Sequence, residues 1–194
     1  SIYSMLDVSF DLWESERSAY NYIGELEKYL NDKGLLYESE GAMVIDVAED
    51  TDSKEIPPLL FKKSNGAYLY GTTDMATIYD REKKYQPDNM LYVTDDRQSM
   101  HFKQVFRASK KAGITDALLE HKGFGTVNGP DGKPFKTRSG ETLKLESLIE
   151  DTKRAFLAKK ESNKDMCEED IDKIVNSIIK YAELQNNRER DYIF

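Results

Sequence analysis

Tyr70 and Asp74 stand four residues apart in Tyr68-Leu69-Tyr70-Gly71-Thr72-Thr73-Asp74, where an extended run gives way to helical spacing. With Tyr70 closing the extended piece and Asp74 in the first helical turn, both side chains reach one crevice at the carboxyl edge of a sheet. Open α/β sheets tend to bind their ligands there. Asp95-Asp96-Arg97-Gln98-Ser99-Met100-His101 occupies the equivalent junction one unit later and brings Gln98 and His101 onto the first turn of the next helix. A carboxylate, a phenol and an amide at two adjacent strand ends suit a planar cation, because an ionised carboxylate accepts two parallel guanidinium N–H bonds. Each residue also has an ordinary role. A first-turn carboxylate complements the helix dipole, a tyrosine packs with its hydroxyl at the surface, and Asp95 or Asp96 caps the helix that follows.

A second group is cationic. Lys133, Lys136 and Arg138 crowd into six residues between glycines, beside the hydroxyls of Thr137 and Ser139. Such a loop can close over a polyphosphate and stabilise charge as pyrophosphate leaves; the same composition fits a plain basic surface loop. Gly123-Phe124-Gly125-Thr126-Val127-Asn128-Gly129 fails as a dinucleotide fingerprint, since its last glycine comes one place late and runs into Pro130 rather than opening a helix. It reads as a glycine-permitted strand end, with flat backbone contact to a purine ring as the functional alternative.

Other chemistries fall away. His101 and His121, twenty positions apart, form no zinc pair on one helix face, and no metal site is expected. No Gly-x-Ser-x-Gly elbow occurs, and the single cysteine, Cys167, lies in a charged helical stretch. With a net charge of −8 and an isoelectric point near 5.0 the chain as a whole does not attract polyanions, and binding to nucleic acid would need a local basic patch, for which Lys133 to Arg138 is the candidate; DNA is not among the expected partners. No run of about 18 apolar residues exists to cross a membrane. The first residues lack the basic and apolar blocks of a secretion signal. One cysteine permits no internal disulfide, and a reducing cytoplasmic compartment is the expectation.

The elements that must position these groups follow from periodicity. Tyr22, Ile23, Leu26, Tyr29 and Leu30 predict a helix over 18–33, with Ser18 as its cap and Gly34 as its left-handed stop. Extended pieces follow at 35–37 and 42–48, joined by a turn over 38–41. A hairpin of 58–62 and 67–70 turns at Ser64-Asn65-Gly66. A helix from Thr73 is halted by Pro87. The apolar run 89–94 suits a buried strand, a helix ending at Gly113 follows, and 117–121 is a second strand. This strand–helix–strand order predicts a parallel pair. Two helices close the chain, at 146–160 and 168–184, with a charged break between them.

The order of these blocks resembles the catalytic domain of bacterial arginyl-tRNA synthetases, of class I. Gly66 to Ala76 is similar to that family's Tyr-x-x-x-Asp segment, and Leu91 to Phe102 to its next block. Gly123 to Val127, Lys133 to Gly140 and Asn187 to Phe194 then follow in family order. The resemblance implies a partial Rossmann-like α/β fold with parallel strands, an inserted β-hairpin and helix region, and C-terminal helices. It divides the chain into an insertion at 1–62, the second half of the nucleotide-binding fold at 63–145 and a helical segment at 146–194.

It further implies that Tyr70, Asp74 and Gln98 contact arginine, with Asp74 as the guanidinium partner. Gly125 and Val127, with His101 in the same set, fall on the ATP side. Lys136, Thr137, Arg138 and Ser139 match the second class I signature, with Arg138 in the usual cationic position. Arginine, ATP with Mg2+, and tRNA are the implied partners. The first signature, His-x-Gly-His, is absent, so the chain reads as a piece of a longer ligase that is inactive by itself. A non-catalytic arginine- or nucleotide-binding module, or a paralogue of other specificity, is the alternative.

Overall fold

The computed structural model of the chain describes residues 2–128, 145–159 and 166–193. In chain order the elements are α1 (Ile2–Met5), α2 (Glu16–Asp32), β1 (Tyr37–Ser39), β2 (Ala42–Ile45), β3 (Leu59–Lys62), α3 (Tyr70–Tyr85) and β4 (Asn89–Asp95). A 3-10 turn (Asp96–Gln98) leads to α4 (Ser99–Lys111), β5 (Leu118–Phe124), β6 (Val127–Asn128), α5 (Leu145–Ala158), α6 (Glu168–Leu184) and β7 (Tyr192–Ile193). They form two units, one of Glu14–Gly123 and the other of the described residues on either side of it.

Within Glu14–Gly123, α2 presents Ala19, Ile23, Leu26 and Leu30 to a core shared with Ile45, Phe61, Met75, Ile78, Val105 and Ala117. The expected insertion region and the expected nucleotide-fold half therefore share one core in this unit. Helix α2 starts at Glu16, two residues earlier than its periodicity suggests, with Ser15 rather than Ser18 at the cap. Ser18 donates its hydroxyl to Ser15 O at 2.7 Å instead. The stop is as expected: Gly34 has φ +65° and Leu35 N–H reaches back to Leu30 O at 3.0 Å. Helix α4 repeats the device with Gly113 at φ +64° and Ile114 N–H on Ser109 O at 3.0 Å.

β1, β2 and β3 form an antiparallel sheet in that order. The β1–β2 turn uses Glu40 and Gly41, both at positive φ, which matches the twist of a two-residue hairpin. β3 continues into the Asn65-Gly66 turn, with Gly66 at φ +83°, Lys63 N–H on Ala67 O at 2.9 Å and a bridge from Lys62 to Tyr68. Glu27 of α2 secures this hairpin, accepting from Lys62 Nζ at 2.8 Å and from the Tyr68 hydroxyl at 2.6 Å. β4 and β5 pair in parallel across α4, the strand–helix–strand unit expected. The apolar run of β4 is not buried on both sides, however. Met90 is buried, whereas Leu91 and Val93 are 53% and 57% exposed.

In the other unit, α5 and α6 pack through Ile149, Ile171, Val175 and Ile179. β6 pairs with β7 in parallel, a contact that the sequence did not signal. The basic loop with Lys133, Lys136, Thr137, Arg138 and Ser139, and most of the charged break between α5 and α6, lie outside the described residues.

The segment after β2 is pinned to α4 by charge. Arg107 clasps Asp52 at 2.6 and 2.7 Å, Lys103 adds a contact at 3.2 Å, and Glu49 N–H donates to the same carboxylate at 2.9 Å. Arg107, foremost among these, holds the Asp52 carboxyl well below the usual carboxylate range. A carboxylate depressed by folding contributes stability that is present above its unfolded pKa, about 3.9, and is lost as pH falls below it. Arg107→Met is expected to lower the urea midpoint at neutral pH. Its deficit relative to wild type should narrow progressively below about pH 4, as paired midpoints across that range will show.

Candidate functional site

Helix α3 begins where the second limb of the β3 hairpin, bridged at Tyr68, ends. Leu69 is its extended N-cap, at φ −120° and ψ 171°. Gly71 lies so close to β3 that a Cβ there would stand 2.7 Å from Leu59 Cδ1 and 3.5 Å from Leu60 O. Thr72 is fully buried and donates its hydroxyl to Phe61 O; Thr73 donates to Tyr70 O at 2.9 Å. These contacts draw the helix start back to Tyr70. Tyr70 thus opens the helix instead of closing the strand, and Asp74 sits in the second turn, not the first. The dipole explanation for Asp74 loses its footing, since the favourable interaction fades beyond the first turn.

At the end of β4, Asp95 caps the 3-10 turn by accepting from Arg97 N–H at 2.8 Å, and it takes the Arg97 guanidinium at 2.8 and 2.5 Å. The Arg97 side chain and backbone hold the Asp95 carboxyl down to about 2. His101 lies in the first turn of α4, as expected, whereas Gln98 ends the 3-10 turn and is the N-cap of α4, just before that turn. Gly123 of β5 packs against this turn; a Cβ on it would come within 2.8 Å of Asp96 Cα.

The central contact joins α3 to α4: His101 Nε2 lies 2.6 Å from Asp74 Oδ2. Both side chains are partly open, 29% and 25% exposed. Tyr70 is 75% exposed and Gln98 is exposed, and neither makes a hydrogen bond to Asp74. Of the expected arginine set, Asp74 is therefore brought into contact with His101, while Tyr70 and Gln98 are exposed and are not joined to it. His101 meets Phe102 edge to face at 5.2 Å, and Phe102 stacks on His121 at 4.9 Å and 15°. His121 Nε2 lies 2.9 Å from Thr94 Oγ1.

Tyr92 and Arg81 join the cluster and were not singled out in the sequence. Tyr92 leans on Phe102 and Phe106 at 5.2 and 5.3 Å, with the Arg81 guanidinium 5.4 Å from its ring centre. Burial pushes the Tyr92 hydroxyl above the ordinary phenol range; Arg81 opposes the rise and the charge of Asp74 adds to it. The available signals were spacing alone: Arg81 is two helical turns beyond Asp74, and Tyr92 shares one strand face with Met90 and Thr94.

Gly125 belongs to the other unit. Its N–H donates to Arg188 O at 2.8 Å, and a Cβ on it would meet Asp191 N at 2.7 Å. Thr126 N–H donates to Asp191 Oδ1 at 2.6 Å, and Val127 pairs with Tyr192. The glycine-permitted strand end is thus a close approach of backbone to backbone. Among the described residues no cluster of three or more His, Cys, Asp or Glu side chains could hold a metal ion.

The profile of the family described as tRNA synthetases class I (R), catalytic domain, matches residues 1–194. The chain belongs to this family, the catalytic domain of class I arginyl-tRNA synthetases. Arginine–tRNA ligase of Agathobacter rectalis is 45% identical over 204 residues, covering 99% of this chain and 34% of that protein. The corresponding ligase of Alkaliphilus oremlandii is 42% identical, again over 99% of this chain and 34% of its own length. The chain thus spans about a third of these relatives. A crystal structure of the arginyl-tRNA synthetase from Plasmodium falciparum superposes with a TM-score of 0.76 at 30% identity, over all of this chain and 32% of that one. The Thermus thermophilus arginyl-tRNA synthetase shares the fold, with a TM-score of 0.78 at 19% identity.

The close seat of Gly123 on Asp96 sets where this synthetase-family turn lies against β5. Gly123→Ala is expected to destabilise the chain by about 1–3 kcal/mol, since backbone must yield to admit the methyl group. Urea denaturation measures it, and a change below about 0.5 kcal/mol would contradict the close packing.

Proposed function

We propose that the chain is the part of an arginine–tRNA ligase that selects arginine and contributes to its activation by ATP. In that reading the arginine carboxylate attacks the α-phosphate of ATP, giving arginyl-adenylate and pyrophosphate, and the arginyl group then passes to tRNA. Asp74 accepts the guanidinium, and Tyr70 and Gln98 flank it. Gly125 and Val127 offer backbone to the adenine. Lys136, Thr137, Arg138 and Ser139 stabilise the charge that develops on the departing pyrophosphate, with Mg2+ arriving on ATP as part of the substrate. No side chain acts as a nucleophile, so positioning and charge stabilisation carry the rate.

The observation that carries this reading is a half-open carboxylate, Asp74, exposed by 25% at the α3–α4 junction beside the end of β4, in a chain of arginyl-tRNA synthetase ancestry. A carboxylate in that setting has the charge and the two acceptor oxygens that a guanidinium needs.

Because the first class I signature is absent, the isolated chain is expected to bind arginine without turning it over. Titration calorimetry with L-arginine should give binding in the wild type. Asp74→Asn should lose at least about 2 kcal/mol, some thirtyfold in affinity. Arginine-dependent exchange of pyrophosphate into ATP should be negligible. Unchanged affinity in Asp74→Asn would remove arginine from the site, and full exchange activity would show that the chain is catalytically complete.

A further inference from the structure

We propose that His101 is a positioning residue for the arginine site: its neutral imidazole holds Asp74 ready for a guanidinium, and its protonated form takes the carboxylate for itself. The proposal rests on the reading of Asp74 as the guanidinium partner. A carboxylate can only accept hydrogen bonds, so the 2.6 Å contact to Oδ2 requires the proton on His101 Nε2. Asp74 Oδ1 accepts no bond from any described residue. An ionised carboxylate offers about four lone-pair positions. One goes to His101, and a bidentate guanidinium needs one more on each oxygen. A neutral His101 and an arginine side chain therefore fit on Asp74 together.

The imidazole is itself held in place. Phe102 lies edge to face against it at 5.2 Å, and Phe102 is fixed by its stack on His121 and its contacts with Tyr92 and Phe106. The Asp74 carboxylate thus has one oxygen tethered through α4 and the other turned to the open side. Losing the tether would leave the carboxylate to choose among rotamers before each binding event, a cost that a pre-set partner avoids.

Protonation changes the balance. An imidazolium at 2.6 Å satisfies the negative charge of Asp74 and places a cation where a second cation must arrive, and like charges in a partly dry site disfavour one another. The other titratable or charged groups around the pair are Tyr70 and Arg81 on α3, Tyr92 and Asp95 on β4, Asp96 and Arg97 in the 3-10 turn, and His121 on β5. Asp95 and Arg97 are already paired, and His121 is separated from His101 by the Phe102 ring. His101 is the histidine in contact with Asp74.

The test is calorimetric titration of the full chain with L-arginine between about pH 8 and about 5.5. In the wild type, Kd should rise on the acid side with a slope approaching about tenfold per pH unit, the signature of one competing proton. His101→Gln, whose amide donates the same bond without titrating, should bind within about fivefold of wild type at pH 8 and show a flat profile. His101→Ala should bind more weakly there, and His121→Gln should keep the wild-type profile. A flat wild-type profile, or a slope that survives in His101→Gln, overturns the proposal.

Nitrogen-15 NMR of the ligand-free chain supplies an independent readout: the His101 Nε2 proton should be protected from exchange and become exchangeable in Asp74→Asn. A protected proton in a chain that binds no arginine would end the arginine reading while leaving the positioning of Asp74 intact. An unprotected proton in the wild type would end the positioning itself.

Discussion

The first turn of α3 has to bury itself against β3 before anything further along that helix can act. Gly71 permits the approach, since any side chain there would collide with Leu59. Thr72 then spends its hydroxyl on Phe61 O inside the core, where an unsatisfied donor would be costly. With Met75, Ala76 and Ile78 fully buried on the same helix, its rotation about its own axis is fixed. Tyr70, Asp74 and Arg81 follow at spacings of four and seven, which returns them to one stripe of the helix surface. The geometry of the acidic group is thus decided by packing several residues away from it.

The second helix supplies what the first cannot. A half-exposed carboxylate on a helix surface is free to rotate and is well solvated, so it makes an indifferent receptor for a cation. The Asp74–His101 bond restrains it, and the aromatic series from His101 through Phe102 to His121 connects that restraint to β5. Tyr92 completes the wall from β4. The succession from α3 through β4 to α4 thereby turns a sequence separation of 27 residues into a contact of 2.6 Å. The glycine at 123 serves the same end, for only without a side chain can β5 lie against the turn that carries Gln98.

Much of this frame was legible because glycine and proline mark chain reversals for reasons that survive folding. The stops at Gly34 and Gly113 and the turn at Asn65-Gly66 needed positive φ, and the structure has it at Gly34, Gly66 and Gly113. The start of α3 departs from its local pattern because tyrosine and threonine suit a strand, while burial of Gly71 and Thr72 decides for helix. Asp74 and His101 were both visible as candidates, but their pairing depends on how two helices cross, and no local pattern encodes that. The β6–β7 pair was illegible for a simpler reason. Two-residue strands carry no period, and Thr126 and Asp191, which help to join them, are 65 positions apart.

β4 and β5 show how the same sheet separates chemistry from mere surface. Met90, Tyr92 and Thr94 alternate with Leu91 and Val93, and on β5 Leu119, His121 and Gly123 alternate with Leu118, Glu120 and Lys122. The aromatic contacts to α4 fall in the first of each set, where the Thr94 hydroxyl also meets His121 across the two strands. The opposite face carries Leu91, Val93 and Leu118, all more than half exposed, with the Glu120–Lys122 pair at its margin. Parallel strands ordinarily have both faces covered, which is why the run 89–94 has the composition of a buried strand. Its apolar side offers bulk and no directional group, so it can favour burial without recognising a charge.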